Sequence, residues 1–157
     1  APHQAFIDPD DPLFAAPGDM PTRIQDYCKD RSQPVPETKG QVLRVATDSL
    51  ALKYRVVLDQ LRELSGKDFD RLHAGGGGIQ NASLAQATAD ACGVEVVAGP
   101  VEATSCGNLI VQMIATGHLP DLAAGRRLIR ESFEFTRYSP REPEVWGKAL
   151  ERFRAIL

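Results

Sequence analysis

A run of four glycines, Gly75 to Gly78, is the segment of this sequence best suited to hold a ligand. It follows a short apolar run around Leu72, and Gln80 and Asn81 lead from it into an alanine-rich segment. Glycine has no Cβ, so a ligand can lie directly against the backbone of such a loop. A helix start beyond the loop adds unpaired N–H groups. The arrangement suits a nucleotide, but a mobile linker has the same composition, and the pattern alone leaves both interpretations open.

Other side chains that could do chemistry are better explained by structure. Asp90 falls late in a predicted helix, and Glu102 falls in a first helical turn, where an acid stabilises the helix dipole. His73 precedes the glycine run, and we expect a strand histidine rather than a base. No His, Cys and Asp residues have metal-ligand spacing. The sequence therefore predicts neither a catalytic residue nor a metal ligand in this chain.

The composition is that of an ordinary single domain. The chain has 157 residues, of which 43% are hydrophobic and 25% charged, with a formal net charge of −3. No block of basic residues indicates a nucleic-acid partner. No apolar run approaches the roughly 18 residues that a membrane helix needs. We therefore expect neither a nucleic acid nor a membrane as partner.

The three cysteines, Cys28, Cys92 and Cys106, match neither a zinc site nor a disulfide framework. Cys92 and Cys106 lie in apolar helical surroundings, which is typical of buried free thiols. Free thiols fit a reducing compartment, so we expect a cytoplasmic protein.

Start and stop signals predict six helices. Asp19 is a plausible N-cap, and Thr38 with Gln41 has the spacing of a capping box. Gly66 is placed to end the long helix that begins at Thr38. An apolar stripe on that helix includes Val42, Val45, Ala46, Ser49, Leu52, Val56, Leu61 and Leu64. The predicted helices are about 19–31, 38–65, 83–92, 101–116, 121–135 and 144–156. Residues 1–18 are predicted to be a loop that packs on the core through Phe6, Ile7, Leu13 and Phe14.

Two strands are predicted, 69–73 and 94–98, with a helix between them. Strand, helix and strand over about 30 residues form a βαβ unit with parallel strands. Residues 94–98 are almost all apolar, as in a strand buried on both faces. Tyr138 to Pro143 reads as a turn. A central strand with one partner implies an incomplete sheet, whose open edge could recruit another strand or a second copy.

Several motifs in order resemble the C-terminal domain of the FGGY-type carbohydrate kinases. They are Gly76-Gly77-Gly78-x-Gln80-Asn81, Ala89-Asp90-Ala91-Cys92-Gly93 and Gly99-Pro100-Val101-Glu102-Ala103 with Gly107-Asn108, and upstream Phe6–Phe14, Pro17–Pro21 and Ser49–Arg55. The likeness covers nearly the whole chain and is greatest to the members that act on L-rhamnulose.

This resemblance implies an α/β fold that is part of a ribonuclease-H-like domain of the actin-like ATPases, helix-rich and with an incomplete sheet. It implies that the full protein transfers the γ-phosphoryl group of ATP to O1 of L-rhamnulose with Mg²⁺. Gly76, Gly77 and Gly78 would form the adenosine loop, with Gln80 and Asn81 beside the adenine or ribose. The helix that contains Gly107 would connect the two domains of the kinase.

The family's N-terminal domain and the first part of its C-terminal domain have no counterpart in residues 1–157. The resemblance places the catalytic aspartate, the sugar-binding residues and the usual Mg²⁺ carboxylate there. We therefore expect this chain to contribute the adenosine side of an ATP site and to be inactive alone. Gly75 and Ile79 depart from the expected branched apolar and small polar residues, and Cys106 replaces an aliphatic one.

Overall fold

The computed structural model describes residues 3–157, and its order of elements follows the predicted pattern closely. The α-helices are α1 (Met20–Asp30), α2 (Lys39–Ser65), α3 (Ala82–Cys92), α4 (Ala103–Ala115), α5 (Leu122–Ser132) and α6 (Pro143–Arg154). The strands are β1 (Arg71–Ala74), β2 (Glu95–Ala98) and β3 (Thr136–Tyr138), and short 3₁₀ turns lie at Pro12–Phe14 and Gly77–Gln80. The α/β class with a small sheet among many helices is confirmed. Across residues 3–157, every helix is too short or too polar to cross a membrane.

The capping signals determine where the first two helices begin. The Asp19 side chain accepts a hydrogen bond from the Thr22 backbone N–H at the start of α1. At the start of α2, the Thr38 hydroxyl accepts from the Gln41 N–H, and the Gln41 side chain accepts from the Thr38 N–H. Gly66 ends α2 with φ of 63°, a left-handed conformation that glycine adopts without strain. All three predicted boundaries are confirmed.

The sheet has the order β1-β2-β3. Strands β1 and β2 are parallel, with Leu72 opposite Val96, which confirms the βαβ unit. The third strand, β3, pairs antiparallel with β2, so our prediction of a turn from Tyr138 was wrong at that residue. A strand of three residues is too short to show a periodic pattern, and its conformation follows from pairing with β2. Because β3 belongs to this chain, one side of the central strand needs no outside partner.

Helix α2 is the structural centre, but its predicted stripe is only partly buried. Val42, Val45 and Leu52 are buried as expected, whereas Leu61 and Leu64 are 49% and 86% exposed. The prediction was wrong for these last two turns. The elements that bury α2 reach only as far as Leu58, which packs with Cys92 at the end of α3 and with Val94 just before β2.

Two apolar clusters fasten the remaining elements to α2. In one, Phe6 from the N-terminal segment packs with Leu52 of α2 and with Trp146 and Phe153 of α6. In the other, Ile7 packs with α1 and with the start of α2. The predicted anchoring by Phe6 and Ile7 is confirmed, whereas Leu13 is exposed and Phe14 is partly buried.

The cysteines are free thiols. Cys28 and Cys92 are buried and Cys106 is partly buried. Burial disfavours the thiolate and raises the pKa of both Cys28 and Cys92 to about 11. These two thiols are therefore protonated and unreactive at neutral pH, as packing residues should be.

Candidate functional site

The glycine loop joins β1 to α3 at the carboxyl end of the parallel strands. The Gly76 N–H donates to the Pro100 carbonyl at 3.1 Å, and the Gly99 N–H donates to the Ala74 carbonyl at 2.8 Å. Gly76 has φ of 89°, which favours glycine. Gly77 to Gln80 then form the 3₁₀ turn that leads into α3. The loop is thus held by backbone hydrogen bonds to the β2–α4 connection, so it is not a free linker.

The four glycines divide into two kinds by their surroundings. A Cβ added to Gly76, Gly77 or Gly78 would have no heavy atom within 4 Å. A Cβ on Gly75 would lie 2.7 Å from the Ala103 Cβ, in the first turn of α4. Gly75 is therefore explained by close packing inside the chain. The other three present a bare backbone surface on which a ligand can rest.

We predict that Gly75→Ala displaces the loop from α4. The two Cβ atoms would overlap, and overpacking of this kind costs roughly 1 kcal/mol where the neighbour is only partly buried. Urea denaturation should show a correspondingly lower midpoint. Gly77→Ala is the matched control, because its Cβ points into open space, and it should leave the midpoint unchanged.

A groove with a volume of about 570 Å³ runs beside the loop. The loop residues Gly75, Gly78 and Ile79 line it together with Tyr54 and Val57 of α2. The lining is mostly apolar. Ile79, which departs from the polar residue expected there, extends this apolar surface and offers no hydroxyl to a ligand.

Gln80 and Asn81 lie at the start of α3, outside the residues that line the groove. The Asn81 Oδ1 accepts from the Leu84 N–H at 3.1 Å, so this side chain is the N-cap of α3. Gln80 is exposed. The sequence did not predict the capping role, although Asn is a preferred N-cap residue. The predicted contacts of both residues with a nucleotide stay predictions, and the cap bond leaves the Nδ2 group of Asn81 available.

The environments of Asp90 and Glu102 indicate structural roles for both carboxylates. Asp90 Oδ1 accepts hydrogen bonds from Gln86 Nε2 at 2.9 Å and from the Arg141 backbone N–H at 2.7 Å, and it joins α3 to the segment before α6. Glu102 precedes α4 without a capping bond from its side chain. His73 is an exposed strand residue. Within residues 3–157, no cluster of three or more His, Cys, Asp or Glu side chains could hold a metal ion.

Two basic side chains have roles that the sequence analysis missed. The sequence patterns assigned no partner to Lys53 or Arg55, but Lys53 Nζ lies 3.0 Å from Asp8 Oδ1 and 2.9 Å from Asp10 Oδ2. Arg55 donates to Asp59 and to the carbonyls of Ala91 and Cys92 at the end of α3. Burial alone would lower the pKa of Lys53, but the Asp10 and Asp8 carboxylates outweigh it and raise that pKa.

The signal for these contacts was present in the motifs themselves. Asp8 and Asp10 lie in the segment 6–14, and Lys53 lies in the segment 49–55. The Ile7 N–H also donates to the Ser49 hydroxyl at 3.0 Å. Two motifs that are far apart in sequence therefore form one contact, and Asp10 and Lys53 line the same groove as the glycine loop.

Comparison with known proteins identifies the class to which this fold and loop belong. Residues 1–116 match the model of the FGGY family of carbohydrate kinases, C-terminal domain. The match covers well over half of the chain, and the chain belongs to this family.

Three of the proteins similar to this chain are named rhamnulokinase. The chain is 44% identical over 153 residues to a rhamnulokinase of Bacteroides thetaiotaomicron, covering 98% of this chain and 32% of that protein. It is 42% identical over 152 residues to a rhamnulokinase of Pectobacterium atrosepticum, covering 97% of this chain and 31% of that protein. It is 48% identical over 132 residues to a rhamnulokinase of Enterococcus faecalis, covering 83% of this chain and 27% of that protein. The chain thus spans about a third of the length of these curated relatives.

Proposed function

We propose that this chain supplies the adenosine side of the ATP site in a sugar kinase that phosphorylates L-rhamnulose on O1. The observation that carries the proposal is the open backbone of Gly76, Gly77 and Gly78 at a strand-to-helix junction, beside an apolar groove. The membership in a carbohydrate kinase family supports ATP as the phosphoryl donor. The choice of sugar is supported only by the similar rhamnulokinases.

The residues of this chain fit an adenosine group but not Mg²⁺. The bare loop offers a surface for a flat base or a ribose, and the groove offers apolar contact. Without a carboxylate cluster among residues 3–157, the metal ion would be held by the region that the relatives carry outside the matched part. The sugar would be bound there as well. The buried free thiols of Cys28 and Cys92 support a cytoplasmic location.

The chain alone should bind adenine nucleotides weakly, because few contacts remain to offset the cost of association. We expect a dissociation constant of roughly millimolar. Phosphoryl transfer requires positioning of both substrates and neutralisation of developing charge, which this part of the site cannot supply. Calorimetry with ADP should show the binding, and a coupled kinase assay should show no turnover. Absence of ADP binding at ten times that concentration would contradict the proposal.

A valine at Gly78 should separate ligand binding from folding. Its Cβ would meet no atom of the chain within 4 Å, so Gly78→Val should leave the thermal unfolding midpoint within about 2 °C of wild type. The same side chain would stand on the surface proposed for the nucleotide and should weaken ADP binding at least tenfold. Binding can be followed by calorimetry or by ligand-detected NMR.

Gly147→Val provides the matched control for that experiment. Gly147 lies in α6, and a Cβ there also has no heavy atom within 4 Å, but the position is remote from the loop in sequence and in element. ADP should bind this variant as it binds wild type. Equal weakening by both substitutions would indicate a general effect, and undiminished binding by Gly78→Val would remove the loop from the site.

The second candidate function is a non-catalytic module that pairs with another subunit through an open sheet edge. The observation that favours it is the outer edge of β1, which has no neighbouring strand within residues 3–157. Sedimentation would distinguish it, because a stand-alone module would self-associate with increasing concentration. A monomer that unfolds cooperatively would argue against this function.

A further inference from the structure

A second cleft, with a volume of about 760 Å³, lies between the first turns of α2, the first turns of α3 and the segment from the end of β3 to the start of α6. We call it the polar cleft. Ser83, Gln86 and Asp90 of α3 line it, whereas Leu84 and Thr88 of the same helix line the groove beside the glycine loop. With 3.6 residues per turn, these two sets lie on opposite faces of α3. The polar cleft is therefore separate from the surface proposed for the nucleotide.

The charged side chains of the polar cleft nearly balance. Asp48, Asp90 and Glu142 bring carboxylates to its lining, and Arg44 and Arg141 bring guanidinium groups. The excess of one negative charge disfavours an anionic ligand, and the two guanidinium groups disfavour a cationic one. The ligand that suits this lining is a neutral molecule that offers both donors and acceptors of hydrogen bonds.

The walls of the polar cleft are held in place by hydrogen bonds within the chain. Asp90 Oδ1 accepts from Gln86 Nε2 at 2.9 Å and from the Arg141 backbone N–H at 2.7 Å. Gln86 Nε2 also donates to the Ser139 carbonyl at 2.9 Å. These bonds fasten α3 to the segment before α6. A ligand that enters the cleft therefore meets groups that are already ordered, which lowers the cost of association.

One carboxylate oxygen in this lining has no hydrogen-bond donor. Asp48 is 1% exposed, and its Oδ1 lies 2.7 Å from Arg44 Nε, yet this oxygen accepts no hydrogen bond from the residues that the structure describes. A buried acceptor without a donor is uncommon and costs free energy. The Arg44 side chain that pairs with it is 50% exposed, so a hydroxyl that enters beside this side chain can supply the missing donor.

We infer that the polar cleft binds a neutral monosaccharide. A hydroxyl group both donates and accepts, so several hydroxyls on one ring can serve the carboxylates and the guanidinium groups together. The buried side chains of Ala87 and Trp146 also line the cleft and suit the apolar C–H face of such a ring. This site is additional to that of the phosphorylated sugar, which we place outside residues 1–157. The inference does not depend on the nucleotide site.

Titration of the isotope-labelled chain with L-rhamnose, followed by NMR, tests the inference. We expect saturable shifts of the Arg141 backbone amide and the Gln86 side-chain amide, with a dissociation constant of roughly millimolar. Gly78→Val, designed to weaken ADP binding, should leave this constant unchanged, so the sugar site and the nucleotide site are tested separately. Shifts that do not saturate, or that lie outside the polar cleft, would overturn the inference.

A tyrosine at Ser83 should block the mouth of the polar cleft. Ser83 is an exposed residue in the first turn of α3, so circular dichroism of Ser83→Tyr should match wild type, and the affinity for L-rhamnose should fall at least tenfold. Ser132→Tyr makes the same change at an exposed residue of α5 outside the lining and should bind as wild type does. Equal affinity of Ser83→Tyr and wild type would overturn the location. Saturable binding of inorganic phosphate or ethylamine in place of the sugar would overturn the class of ligand.

Discussion

Replacing Phe153 by alanine should destabilise the protein by about 3–5 kcal/mol, the cost typical of a large aromatic removed from a core. Phe153 is fully buried and packs with Phe6 at a ring-centroid distance of 6.1 Å and an interplanar angle of 85°. The same cluster includes Leu52 of α2 and Trp146 of α6. One truncation would therefore loosen the N-terminal segment, the central helix and the last helix together. Domains of this kind have only about 5–15 kcal/mol of stability, so the loss is a large share.

Urea denaturation followed by circular dichroism measures this effect. Phe133→Ala is the matched control, because it makes the same chemical change at a position that is 40% exposed. Its free energy of unfolding should stay within about 1 kcal/mol of wild type, since substitutions at partly exposed sites cost little. Similar losses at both positions would mean that the core does not depend on the contact between α6 and the N-terminal segment.

Replacing Arg44 by methionine should lower the free energy of unfolding by about 1.5–3 kcal/mol at neutral pH, because the buried carboxylate of Asp48 loses a partner. Asp48 is 1% exposed. Its Oδ1 lies 2.7 Å from Arg44 Nε, and its Oδ2 lies 3.3 Å from His3 Nδ1. Burial raises the pKa of Asp48, but His3 and Arg44 outweigh burial, and the pKa lies below its ordinary value of 3.8. The ionised carboxylate therefore stabilises the folded state.

The pH dependence follows from the sign of that shift. A lowered pKa contributes stability that is fully present above the unfolded value of 3.8 and is lost as the pH falls through the folded value. Without Arg44, burial is less well offset and the pKa of Asp48 rises. The difference in unfolding free energy between wild type and Arg44→Met should therefore be largest at neutral pH. It should shrink as the pH falls below 3.8 through the folded pKa of Asp48, because Asp48 then becomes protonated in both proteins.

Unfolding free energies measured from pH 7 to pH 3 test this prediction. Arg127→Met, at an exposed position of α5, is the control and should follow wild type across the range. A difference for Arg44→Met that stays constant with pH would show that the effect comes from packing of the arginine stem and not from the charge of Asp48.

Local chemistry explains why the helix boundaries could be predicted from the sequence. The capping box of Thr38 and Gln41, the cap at Asp19 and the left-handed Gly66 satisfy backbone groups within a few residues of themselves. Such interactions do not depend on the rest of the fold. The parallel pairing of β1 and β2 could be predicted for a related reason, because a short strand-helix-strand segment has few ways to pack.

Features that depend on distant residues were missed or mistaken. Strand β3 exists because its three residues meet the edge of β2, and nothing in those residues alone distinguishes them from a turn. Leu64 follows the apolar period of α2, yet it is exposed because no described element reaches it. Lys53 has two carboxylate partners only because the fold brings Asp8 and Asp10 to it.

The sequence by itself determined the start of α1, both ends of α2, the βαβ unit and the kinase family, because caps, periodicity and ordered motifs are local properties of the chain. Only the tertiary structure decided how the four glycines differ. Gly75 lacks a side chain because α4 lies against it, whereas Gly76, Gly77 and Gly78 have open space above their backbone. The physical reason is that the space around a residue is set by elements far away in sequence, which no local pattern records.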